Sequence, residues 1–150
     1  MIRYWDYLRE YKELKREILY SVNRVFESGT LFFGEELKKF EKNFCKFNNS
    51  KYGLGVGSGT DALFIALKVL DIGIGDEVIT VSNTAIPTVA AIKNTGAKVR
   101  FVDIGKDLLI DVKKIKHAIN SKTKAIIPVH LFGQTCDMNE ILSVSKKYNL

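Results

Sequence analysis

The segment Gly57-Ser58-Gly59-Thr60-Asp61-Ala62-Leu63 places two glycines and two hydroxyl side chains directly ahead of a run of helix formers. That combination suits anion binding. A helix N-terminus carries unpaired backbone N–H groups and the positive end of the helix dipole, and glycine lets the backbone approach a bound group closely. The Gly57 and Gly59 backbone, with the Ser58 and Thr60 hydroxyls, therefore reads as a ring for a phosphate at the start of a helix over 60–70. The same residues spell a capping box, in which Ser58 caps the helix and Asp61 reaches back to the Ser58 N–H. The two roles are compatible, because a capped helix still donates its remaining N–H groups.

Two other phosphate motifs compete for this loop. Gly57-x-Gly59-x-x-Ala62 fits the dinucleotide fingerprint, so an NAD-dependent oxidoreductase is the rival reading. That fingerprint calls for an acidic residue at the end of the next strand, about twenty residues on. Val81-Ser82-Asn83 stands there instead, with no carboxylate, and residues 1–50 precede a motif that normally opens its domain. A Walker A loop is excluded, since the chain has no Gly-Lys-Ser or Gly-Lys-Thr.

The elements that must position this loop follow from periodicity. Apolar residues recurring at three- and four-residue steps, from Tyr7 to Val25, predict a helix over 6–28; Leu37, Phe40, Phe44 and Phe47 predict another over 35–47. From there the pattern alternates. Strands are expected at "YGLGVG", "EVITV", "KVRFVDI" and "KAIIPVHLF", and helices at "TDALFIALKVL", "TAIPTVAAIKNT", "DVKKIKHAI" and "DMNEILSVSKKY". Such alternation implies βαβ units and an α/β fold: a mainly parallel sheet with helices on both faces. The expected organisation is an N-terminal helical segment over 1–50 and the first part of an α/β domain over 51–150. The last helix closes where the rhythm asks for a further strand, so the sequence reads as the N-terminal part of a longer protein.

Composition narrows the class. An apolar fraction of 46% over 150 residues supports a core, and a charged fraction of 27% is ordinary for a globular domain. No apolar run approaches the length of a membrane span, and "MIRYWDYLREYKELKREI" is too charged for a signal peptide, so no membrane role is expected and the cytoplasm is the expected compartment. The net charge of +6 comes largely from lysines at helical spacing between apolar positions, the pattern of solvated helix faces rather than of a nucleic-acid surface. Cys45 and Cys136 are far apart and unpaired in spacing; they read as reduced structural thiols, with no metal site.

The ordered segments "ESGTLFFGEELKKFEKNF", "GVGSGTDALFIAL", "GIGDEVIT", "NTAIPTVAAI", "GAKVRFVDI" and "TKAIIPVHLFGQTCDM" closely resemble the DegT/StrS family of nucleotide-sugar aminotransferases, which use pyridoxal 5'-phosphate (PLP). The resemblance implies the large domain of a fold-type-I PLP-dependent transferase, here incomplete. It implies that the loop holds the PLP phosphate through Gly59 and Thr60, with Ser58 shaping the turn. Thr84 and Ala85 fall in the segment that lies against the cofactor ring, where many members carry an aromatic residue; alanine cannot stack. Read without the family, "NTAIPT" is a helix start capped by Asn83 or Thr84, with Pro87 in the first turn. Gln134 is read as lining the substrate pocket, His130 as a buried strand histidine, and Asp137 with Glu140 as a second capping box.

The family's reaction moves an amino group from L-glutamate to a nucleotide-linked keto sugar, in homodimers that share their sites. Its covalent lysine and its pyridinium-binding carboxylate lie in motifs that residues 1–150 do not match, so no catalytic residue is assigned and the chain alone is expected to be inactive. A relative that keeps the PLP fold without turnover, or a binding module, is the alternative.

Overall fold

The computed structural model describes residues 5–150. They fall into two compact units, one ending at Gly55 and the other running from Val56 to Leu150.

The first unit holds α1 (Tyr7–Glu27) and α2 (Glu35–Phe47). α1 stops where the Ser28 hydroxyl donates to the Val25 carbonyl at 2.7 Å and Gly29 takes a φ of 67°. Glu35 and Glu36 open α2, where carboxylates complement the helix dipole. The carboxylate of Glu36 also meets Arg24 of α1.

The strand expected over 52–57 does not form, and the glycines explain why. A Cβ on Gly53 would stand 2.7 Å from the Cys45 sulfur, and one on Gly55 would stand 2.8 Å from Leu37 Cδ1. The Gly55 N–H donates to Glu41 at 2.8 Å. These glycines let the chain lie against α2, which uses a backbone donor that a sheet ladder would otherwise need. Among the described residues, this segment pairs with no strand.

The second unit is built on a three-stranded parallel sheet in the order β2-β1-β3, with β1 at Glu77–Val81, β2 at Lys98–Val102 and β3 at Thr123–Ile126. β3 is shorter than its apolar run. Its ladder continues one residue further, with Ile127 N–H donating to Ile79 at 2.8 Å, and then meets Pro128, which has no N–H to give. β1 is central and alternates between two cores. Val78 joins Leu67 of α3 (Gly59–Val69) and Ile92 of α4 (Ile86–Asn94) on one face. Ile79 and Val81 join Ile115 of α5 (Val112–Ala118) and Ile141 and Val144 of α6 (Met138–Tyr148) on the other. Helices therefore cover both faces, as the alternating pattern predicts. Thr80 is buried within the sheet, where its hydroxyl donates to Ile127 at 3.0 Å.

The connections fix the direction of the two helices on the first face. A Cβ on Gly96 would stand 2.6 Å from Ile74 Cγ1, and one on Gly73 would stand 3.5 Å from the Thr95 carbonyl. The segments leaving α3 and α4 thus meet at the edge where the strands begin. Both helices start at the opposite edge, where the parallel strands end.

Candidate anion-binding site

At the start of α3, Ser58 has extended backbone and caps the helix. Its oxygen accepts the Asp61 N–H at 3.1 Å, and its hydroxyl donates to Asp61 Oδ2 at 2.8 Å. The cap is the expected one, but the carboxylate takes the hydroxyl hydrogen instead of the Ser58 amide. The Ala62 N–H donates to the Ser58 carbonyl at 3.0 Å and begins the helical ladder. Two amides are left over. The Gly59 and Thr60 N–H groups have no partner among the described residues.

The glycines of the loop separate by role. A Cβ on Gly57 would stand 2.9 Å from Asp61 Oδ2, so Gly57 makes room for the cap. Gly59 has nothing within 4 Å of a Cβ and no positive φ. Neither packing among the described residues nor backbone conformation calls for glycine there. Two free amides at a helix N-terminus, with open space at the Cβ position of Gly59, fit a phosphate group, with the Thr60 hydroxyl as a further donor. The Ser58 hydrogen is already engaged by Asp61, which leaves Ser58 the part of shaping the turn.

Thr84 and Ala85 follow β1. The Thr84 N–H donates to Ser82 at 2.9 Å, and its hydroxyl shares a 2.8 Å hydrogen bond with Thr88. α4 is capped at Ala85, without a side-chain bond and with Pro87 in the first turn. The expected caps are otherwise occupied: Thr84 by Thr88, and Asn83 by the Leu108 carbonyl, to which its amide donates at 3.3 Å. Ala85 is exposed and offers only a methyl group. Because α3 and α4 start at one edge, Ser58, Gly59 and Thr60 share that edge with Thr84 and Ala85.

Gln134 and His130 lie beyond the end of β3, at the carboxyl ends of the strands, where open α/β sheets build their sites. Residues 131–134 form a tight turn, with φ of 54° at Phe132 and 76° at Gly133, closed by the Gln134 N–H on the Leu131 carbonyl at 3.0 Å. Gln134 is exposed. His130 corrects its expectation: it is exposed and outside the strand, because the ladder ends before Pro128. Its Nδ1 accepts the Cys136 N–H at 3.1 Å. Asp137 caps α6 by accepting the Glu140 N–H at 3.0 Å, but the Glu140 carboxylate goes to Lys116 at 3.2 Å instead of closing the box. Sequence reasoning missed the links from Asn83 to Leu108 and from His130 to Cys136. Both join residues whose neighbourhood only the folded loops create.

The chain is similar to known proteins along nearly its whole length. A dTDP-3-amino-3,4,6-trideoxy-alpha-D-glucose transaminase of Micromonospora megalomicea subsp. nigra is 41% identical over 147 residues, covering 97% of this chain and 39% of the relative. DesV of S. venezuelae superposes with a TM-score of 0.96 at 36% identity, covering 99% of this chain and 40% of that one. NtdA of Bacillus subtilis, solved with bound cofactor PMP, superposes with a TM-score of 0.89 at 35% identity, covering 92% of this chain and 32% of that one. The chain thus spans about two fifths of the length of the Micromonospora relative. The model of the DegT/DnrJ/EryC1/StrS aminotransferase family matches residues 12–150, and the chain belongs to that family.

Proposed function

We propose that this chain is the cofactor-phosphate-binding part of a PLP-dependent aminotransferase that moves an amino group from L-glutamate to a nucleotide-linked keto-deoxysugar. The observation that carries the reading is the pair of free amides at Gly59 and Thr60 at a capped helix start, with open space at the Cβ position of Gly59. The Micromonospora relative is a dTDP-sugar transaminase by name, and NtdA was solved with PMP bound.

In this reading Gly59 and Thr60 donate their N–H groups to the cofactor phosphate, and Thr60 adds its hydroxyl. Ser58, held by Asp61, fixes the turn so that these donors converge without reorganisation when the anion arrives. When bound, the cofactor supplies an electron sink for the substrate carbon that loses its proton. Thr84 and Ala85 border the ring, and the small side chain at 85 leaves space beside it. Gln134, on a tight exposed turn, presents an amide to the sugar. The working assembly is a homodimer that shares its sites, in the cytoplasm. None of the described helices is long and apolar enough to cross a membrane. Residues 1–150 are proposed to bind the cofactor phosphate without turning over glutamate.

Calorimetric titration with PMP, set beside pyridoxamine without its phosphate, tests the reading. Tighter binding of PMP that is lost on Gly59→Val supports it. Equal binding of the two ligands, or a Gly59→Val variant that binds PMP as tightly as the parent, overturns it.

A further inference from the structure

The segment after β3 closes on itself through three hydrogen bonds. The Cys136 thiol donates to the Val129 carbonyl at 3.3 Å, the Cys136 N–H donates to His130 Nδ1 at 3.1 Å, and the Gln134 N–H donates to the Leu131 carbonyl at 3.0 Å. Between these closures the chain passes through two residues with positive φ, Phe132 and Gly133. A left-handed phenylalanine is costly and persists only where its surroundings enforce it. Cys136 is the buried anchor of this arrangement, 4% exposed, whereas His130 is exposed.

We infer that His130 is a positioning residue: its ring clamps the 130–136 loop from the outside and thereby sets where Gln134 stands. The bond fixes the chemistry of the ring. Nδ1 must carry its lone pair toward the Cys136 amide, so the ring proton sits on Nε2. The thiol on the inner side and the imidazole on the outer side grip the same residue, Cys136, and the 131–134 turn is suspended between its two ends. The consequence for Gln134 rests on the reading given under Proposed function; the clamp itself does not.

Asparagine at position 130 keeps an acceptor near the place of Nδ1, and alanine does not, so the pair His130→Asn and His130→Ala separates the hydrogen bond from the mere presence of a side chain. The measurements are the nitrogen shifts of the His130 ring and amide exchange and relaxation along 130–136, in the 15N-labelled chain without cofactor. The expected ring state is the Nε2–H tautomer. His130→Ala is expected to speed Cys136 amide exchange about fivefold, the ratio set by one ordinary hydrogen bond, and to loosen residues 131–135. His130→Asn is expected to restore both. A ring with its proton on Nδ1, or an alanine variant whose Cys136 amide and turn behave as in the parent, overturns the proposal. Failure of PMP to bind leaves these readouts unchanged and overturns the functional reading instead.

Discussion

Ser58 and Asp61 hold each other twice: the Asp61 amide donates to the Ser58 oxygen at 3.1 Å, and the Ser58 hydroxyl donates to the Asp61 carboxylate at 2.8 Å. This mutual grip satisfies one of the donors a helix start leaves open and leaves the Gly59 and Thr60 amides for another partner. Ser58→Ala removes both bonds. It is expected to destabilise the chain by about 1 kcal/mol, the usual worth of an N-cap hydroxyl. Urea unfolding checks this: the midpoint falls while the slope with denaturant stays the same.

Gly57 and Gly59 are expected to respond in opposite ways to the same substitution. A Cβ at 57 would stand 2.9 Å from Asp61 Oδ2 and displace the tip of that carboxylate, so Gly57→Ala is expected to weaken its bond to Ser58 and lower stability slightly. Alanine at 59 meets nothing within 4 Å and sits at a helix start, so Gly59→Ala leaves stability unchanged or slightly raised. PMP affinity should reverse the order of harm relative to stability. If the phosphate sits close to the Gly59 backbone, Gly59→Ala is expected to weaken binding about tenfold, because the new methyl crowds it, a loss of ~1.4 kcal/mol. Thermal melts and PMP titration of the two variants read both halves.

What the sequence made legible was whatever local chemistry decides. The boundaries of α2 and β1 follow from apolar spacing and β-branched content, and the Ser58 and Asp137 caps follow from residue type alone. The failures share a cause. "YGLGVG" has the small, apolar look of a buried strand, but Gly53 and Gly55 are small because α2 presses on them, and no local pattern distinguishes those two reasons. Asp61 and Glu140 both stand where a capping box predicts a bond to the cap amide. Each carboxylate found a stronger partner, the Ser58 hydroxyl in one case and the Lys116 ammonium in the other. Thr84 lost its capping role to a bond with Thr88, one turn into the helix. A side chain with several partners in reach is placed by the fold, and the sequence shows only that it has a bond to make.

The start of α2 should respond to acid. The Lys38 hydrogen bond holds the Glu35 carboxyl below its ordinary value of 4.5, the Lys39 hydrogen bond does the same for Glu36, and Glu35 in turn raises Lys38. A carboxyl whose folded pKa is depressed adds stability that is fully present above the unfolded value and is lost as the pH falls through the folded one. The contribution is therefore constant at neutral pH and disappears below about 4.5, the range of an unperturbed Glu. All of these side chains are solvent-exposed, so the effect is small and screened by salt. Amide exchange at residues 35–39 is expected to quicken on acidification, less so in Glu35→Gln, and added salt should shrink the difference.

In the proposed reading Ala85 stands beside the cofactor ring, where the family resemblance implies an aromatic residue in many members. Its backbone, at φ −71° and ψ 146°, lies in the extended region that aromatic residues favour, and its side chain is exposed. Both its backbone and its exposure are compatible with a ring at this place. Ala85→Tyr is expected to leave the unfolding midpoint within about 0.5 kcal/mol of the parent, as for other exposed substitutions. If Ala85 borders the cofactor ring, the new tyrosine gains a stacking partner and tightens PMP binding by about 0.5–1.5 kcal/mol, a factor of roughly two to ten. Pyridoxamine, which has the ring and lacks the phosphate, should gain by the same factor, whereas inorganic phosphate should gain nothing. Titrating all three ligands into parent and variant decides it. Unchanged affinity for both ring-bearing ligands places the ring away from residue 85, and a gain for inorganic phosphate shows that the substitution acts on the Gly59–Thr60 turn instead.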